Sequence, residues 1–88
     1  SEPYDVMGSA AVRKALADAG VDYTDVQQAY AGFVYGDSTS GQQTLYRVGV
    51  TGIPVINVNN ACATGSTALY LARQAVSSGA VDVALAVG

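Results

Sequence analysis

The sequence contains no histidine, no tryptophan and a single cysteine, Cys62. Without an imidazole these 88 residues hold none of the usual neutral-pH general base or proton shuttle. One cysteine excludes an internal disulfide, and with no histidine beside it no zinc-type ligand set can form. We therefore expect no metal and no bound cofactor. Charge is also scarce, at 12% of residues against about 25% in ordinary globular domains. The four basic residues (Arg13, Lys14, Arg47, Arg73) are scattered among seven acidic ones, for a net charge of −3. That pattern offers no electrostatic footprint for nucleic acid or anionic lipid. No apolar run approaches the roughly 20 residues needed to cross a bilayer, so no membrane span is expected. The opening Ser-Glu-Pro-Tyr is no signal peptide and lacks an initiator Met. We expect the natural termini to lie beyond both ends.

Half of the residues are apolar, and a free-standing domain of this size buries only about 60% of its unfolded surface. Such an interior-like composition suits a slice of a larger fold. Residues 4–19 are Ala-rich with good helix formers. Gly20 is placed to end that helix in the left-handed conformation, with Val21 touching Leu16 as in a Schellman motif. Thr24 and Gln27 have capping-box spacing and predict one short helical turn. Residues 29–35 read as a strand closed by Gly36. Residues 37–41 form a polar turn cluster, read as a turn rather than a substrate loop, with Ser38 or Ser40 able to cap a helix over 42–48.

Gly49, Gly52 and Pro54 interrupt the chain again. Residues 54–59 form a β-branched run too short for a helix. A long helix follows to about Ser78, apolar nearly all round for its first three turns (Ala68, Leu69, Leu71, Ala72, Ala75, Val76). Such a helix is expected to be buried on all sides. Gly79 ends it, and residues 81–87 form a further strand interrupted only by Asp82. Strand, helix, strand over about 33 residues predicts a βαβ unit, with parallel strands and a right-handed crossover. Near-continuous apolar strands call for helices on both faces of the sheet, and the chain has too few to cover both. The expected class is α/β with a mostly parallel sheet.

Cys62 falls where a strand ends and a buried helix begins. The first N–H groups of a helix have no internal partners and carry about half a positive charge. A thiolate held there is stabilised, and the thiol pKa falls from about 8.5 toward neutral or below. The same donors can bind a thioester oxygen as it becomes an oxyanion. Gly65 leaves room for a substrate to approach the backbone, and Thr64, Ser66 and Thr67 can occupy exposed first-turn donors. The carboxyl ends of parallel strands are also where α/β sheets place ligands. Against this, free cysteine is among the most buried residue types, and most lone cysteines in apolar chains fill a core. Both readings stand on position alone. Asn57, Asn59 and Asn60 can donate to a substrate, but asparagine at a strand end more often caps the next helix, the reading favoured for Asn60. The six tyrosines have strand or helix-surface explanations. A phosphate-binding loop is excluded by the missing Gly-Lys-Ser/Thr and Gly-x-Gly-x-x-Gly, and a redox pair by the missing second cysteine.

The stretch Asn59-Asn60-Ala-Cys62-Ala-Thr-Gly65-Ser-Thr-Ala-Leu69 resembles the nucleophile motif of the thiolase superfamily. It is most similar to the sterol carrier protein X and lipid-transfer-protein branch. Val34-Tyr-Gly-Asp-Ser-Thr-Ser-Gly-Gln42, Thr51-Gly-Ile-Pro-Val-Ile-Asn-Val-Asn59 and Leu71-Ala-Arg-Gln-Ala75 with Ser78-Gly79 resemble the same branch. The likeness runs from about residue 15 to residue 88, whereas cysteine plus glycine alone is shared with all condensing enzymes. It implies a thiolase-like partial N-terminal half, so that residues 1–88 are a fragment of that domain with a buried central helix carrying the cysteine.

The resemblance further implies an acyltransferase acting on coenzyme A thioesters, with coenzyme A as co-substrate. Cys62 would attack a 3-oxoacyl-CoA, hold the shortened acyl chain and pass it to a second coenzyme A. Its backbone N–H would be half of an oxyanion hole. The other half, the activating histidines and the second acid/base cysteine belong to the family's C-terminal half. The isolated 88 residues are therefore expected to be inactive and poorly soluble. The family also implies a homo-oligomer with the strand before the cysteine near the interface, and a cytoplasmic location in bacteria or a peroxisomal one in eukaryotes. Branched or sterol-derived acyl chains follow from the branch resembled. A retro-aldolase on CoA-linked steroid side chains is a rival disfavoured by the presence of Cys62. A ketoacyl synthase fits Asn59-Asn60 less well, and a non-catalytic lipid-binding or assembly subunit is the rival from another class.

Overall fold

A computed structural model describes residues 4–32, 40–46, 49, 52–60 and 63–88, with the backbone alone for residues 4–7, 40 and 43. Helix α1 spans Tyr4–Ala19, the Ala-rich run. Gly20 stops it at φ 68°. Its N–H donates to Ala17 O at 3.2 Å, and the Val21 N–H to Leu16 O at 3.0 Å. These are the paired bonds of a Schellman stop, which satisfy carbonyls the helix leaves open.

The expected short helical turn forms, but without its capping box. It is a 3-10 turn, Tyr23–Asp25, and Asp22 at its N-cap makes no side-chain cap bond. The capping box read into Thr24 and Gln27 does not form, because Gln27 has a tertiary use. Its Oε1 accepts the N–H groups of Asp82 (2.6 Å) and Val83 (3.1 Å), and its own N–H donates to Val83 O at 3.0 Å.

Three strands follow: β1 (Gln28–Gly32), β2 (Val55–Val58) and β3 (Ala84–Val87). They form a parallel sheet in the order β2-β1-β3. The strands of the expected βαβ unit, β2 and β3, are thus parallel but not neighbours, since β1 lies between them. Residues 33–36 of the first expected strand lie outside the described residues. Strand β3 starts at Ala84 rather than 81, its lead-in being held by Gln27. Helix α2 spans Ser40–Tyr46, so Ser40 is helical rather than a cap for 42–48. Ser38 lies outside the described residues.

Strand β1 takes the centre, and on one of its faces the small side chains of Ala29 and Ala31 are essentially fully buried. Ala29 joins Val12 of α1, Leu45 of α2 and its β3 neighbour Leu85 in one core cluster. Ala31, two residues on and so on the same face, approaches Gly41 of α2. Gly32 points the other way and abuts Thr64, the first residue of helix α3 (Thr64–Ser77). Helices α1 and α2 therefore lie on one face and α3 on the other.

Both faces of this narrow sheet carry helices, but too few to cover it, as expected: all of β2, and all of β3 except Leu85, are only half-buried. What stays open is the outer side of β3, where Leu16, Val21, Leu69, Val76, Val83 and Leu85 line a shallow apolar groove. Helix α3 buries one stripe, Thr64, Ala68, Ala72 and Ala75, at the spacing of a single helical face. Leu71 is half-buried, and Leu69 and Tyr70 are outward, each 63% exposed. Burial on all sides, expected from the sequence, is met on that stripe only. Helix α3 ends as α1 does, with Gly79 at φ 81° and bonds from Gly79 to Val76 and from Ala80 to Ala75.

Candidate functional site

Because the sheet is parallel, the carboxyl ends of β1, β2 and β3 share one side of the molecule, and the amino end of α3 is brought down onto it. Bare backbone permits this. A Cβ on Gly32 would stand 2.8 Å from Thr64 O and collide with the Thr64 methyl. A Cβ on Gly88 would stand 2.5 Å from Gly65 Cα. A Cβ on Gly65 itself would meet Gly88 at an ordinary 3.8 Å. Close packing therefore requires glycine at 32 and 88. At Gly65, which is exposed, the described neighbours make no such demand.

Cys62 lies outside the described residues; the frame on either side of it is described. The Ala63 N–H donates to Asn60 O at 2.9 Å. The Asn60 N–H donates to Thr64 Oγ1 at 2.9 Å, and Asn60 Nδ2 donates to Thr67 Oγ1 at 3.1 Å. Every polar arm of Asn60 except its side-chain oxygen thus reaches the start of α3, across the two-residue link that contains the cysteine. Asn60 does not cap the helix as expected. Ala63 occupies the N-cap with no side-chain bond, and Asn60 sits too far back, acting as a donor instead. The first intrahelical bond runs from Thr67 N to Ala63 O. The N–H groups of residues 64–66 therefore have no partner within the helix, and the positive end of its dipole faces the carboxyl side of the sheet.

Asn57 has a different task. Its Oδ1 accepts the Gly41 N–H at 2.7 Å, and its Nδ2 donates to Gln42 Oε1 at 2.7 Å. Asn57 thereby caps α2, a helix that precedes it in the chain, and is committed to that rather than to a ligand. Asn59 is exposed at the end of β2. The Tyr30 hydroxyl donates to Gln28 Oε1 at 3.0 Å, and Tyr46 and Tyr70 are largely exposed. Of the polar cluster at 37–41, residues 37–39 lie outside the described residues, and Ser40 and Gly41 open α2. Among the described residues no group of three His, Cys, Asp or Glu side chains is placed to hold a metal, and no helix is long and apolar enough to cross a membrane. Sequence reasoning missed Gly32, Gly88 and the anchoring of Thr64. A glycine directly after the buried small residues of a strand was the available sign for Gly32.

The family described as Thiolase, N-terminal domain, matches residues 1–88. The chain belongs to the thiolase family. Among curated relatives, this thiolase-family chain is 56% identical to Sterol carrier protein 2 of Gallus gallus over 89 residues, covering all of the chain and 16% of that protein. It is 40% identical to the benzoylsuccinyl-CoA thiolase subunit BbsB of Thauera aromatica, over 97% of the chain and 23% of that protein. The chain thus spans less than a quarter of the length of these relatives. A crystal structure of Xanthomonas campestris OleA superposes with a TM-score of 0.74 at 19% identity, over 84% of the chain and 23% of OleA. That likeness shows the fold. The parallel α/β architecture and the sterol-carrier resemblance of the cysteine motif both agree with these matches.

Proposed function

We propose that this thiolase-family chain works as the nucleophile-bearing portion of a longer acyltransferase that cleaves 3-oxoacyl-CoA thioesters. In this reading the Cys62 sulfur adds to the 3-oxo carbon. The bond between carbons 2 and 3 then breaks, and its electron pair leaves with the shorter CoA thioester as an enolate, which is protonated. The thiol of a second coenzyme A takes the acyl group from sulfur and restores Cys62. The base and acid for these proton transfers come from outside the 88 residues, which hold no histidine. The observation that carries the reading is the frame around residue 62. Asn60 and Ala63 are bonded to each other at 2.9 Å, beside the positive end of α3 and the carboxyl ends of three parallel strands. Thiolate stabilisation and oxyanion binding draw on that same field.

The test is Cys62→Ala in the complete protein, with thiolysis followed as loss of 3-oxoacyl-CoA. Turnover is expected to fall by roughly 10³-fold or more. Turnover at the unmodified rate would overturn the reading. A second reading, a non-catalytic lipid-binding subunit, is favoured by relatives named sterol carrier and lipid-transfer proteins. The two separate in a thiol-alkylation assay at pH 6–7. A fast reaction blocked by coenzyme A fits the enzyme, and an inert thiol fits the binding protein.

A further inference from the structure

We propose that Thr64 is a positioning residue for the Cys62 nucleophile, its buried hydroxyl holding the backbone before the cysteine. The inference rests on the thiolytic reading and goes beyond it. Thr64 lies two residues after Cys62, and Asn60 two before. The 2.9 Å bond from Asn60 N to Thr64 Oγ1 therefore joins the residues that flank 61–63 in sequence. Thr64 is only 3% exposed, and its methyl and carbonyl occupy the space that Gly32 leaves by having no Cβ. A threonine hydroxyl accepts while a valine methyl cannot, so the same shape without oxygen frees the Asn60 N–H and loosens the approach to the nucleophile. The outer bond from Asn60 Nδ2 to Thr67 Oγ1 restrains the same residue from a half-buried position.

Reaction geometry makes this anchoring matter, since a nucleophile misplaced by about 1 Å can lose about a hundredfold in rate. In the complete protein, Thr64→Val is expected to lower kcat for thiolysis about ten- to a hundredfold with a smaller change in KM. The pH profile of Cys62 alkylation should move with it. Thr64→Ser keeps the oxygen and is expected to recover most of the loss. Thr67→Val, which cuts only the outer bond, gives a smaller loss in the same direction, and it carries the test should Thr64→Val not fold. Wild-type kcat and alkylation profile in the valine variants would overturn the proposal. So would a serine variant as impaired as valine, because packing rather than the hydroxyl would then be responsible. Cys62→Ala separates the two levels: full turnover there sinks the thiolytic reading itself, whereas an essential Cys62 beside an indifferent Thr64 sinks only the positioning role.

Discussion

The two ends of the sheet are closed by the same device and put to different uses. At the amino end the Gln27 side chain accepts two backbone N–H groups of the β3 lead-in, in an exposed setting lined by Thr24, Asp25 and Asp82. At the carboxyl end Thr64 accepts one backbone N–H, but it is buried and locked over Gly32. A side chain holding backbone in water tolerates movement; one seated against a strand does not. The difference teaches where close packing has been placed: at the carboxyl ends of the strands, not where the strands begin.

That contrast can be broken most severely at Gly32. Gly32→Ala pushes a methyl into Thr64, and an overpacked contact with backbone costs about 2 kcal/mol. Denaturant unfolding of the complete protein should show that loss together with slower alkylation of Cys62. An unchanged midpoint would mean that α3 can lift from the sheet freely. Asn57→Ala comes next. It takes away the acceptor of the Gly41 N–H and the donor to Gln42 Oε1, and loss of such a cap costs about 1.5 kcal/mol. Protection of the α2 amides from hydrogen exchange should fall while those of α3 keep theirs.

Gln27→Ala sharpens the comparison from the other end. Its exposed clasp is worth about 1 kcal/mol, and the alkylation rate of Cys62 should not change. A slowed thiol there would mean that the two ends are coupled. The smallest effect is expected at Thr44, buried against Gly8 where α1 and α2 cross, with an Oγ1 that has no hydrogen-bond partner among the described residues. Thr44→Val removes that unsatisfied oxygen at constant shape and should raise stability by about 0.5 kcal/mol, read as a higher melting temperature.

The helices were legible where local rules suffice. Gly20 and Gly79 mark both Schellman stops because a left-handed residue after a helix is a local demand. Strand β2 was legible as a β-branched run between breakers. The errors share one cause: Gln27 and Asn60 are polar residues beside a helix or turn, where a local cap is the nearest explanation. Each found a partner distant in sequence or a different role, and a spacing rule contains no information about which strand lies alongside. The apolar surface of α3 misled in the same way, because composition reports how much surface seeks cover, not which part of it this sheet supplies.

By itself, then, the sequence determined the class of elements, their stops, the parallel character of the strands and the family, since these follow from short-range sterics, periodicity and a contiguous motif. Only the tertiary structure decided that β1 lies between β2 and β3, that Asn57 serves α2, and that Thr64 rests on Gly32. Those depend on which backbones come within a hydrogen bond or a missing Cβ of each other, a property of the assembled sheet and of no single segment.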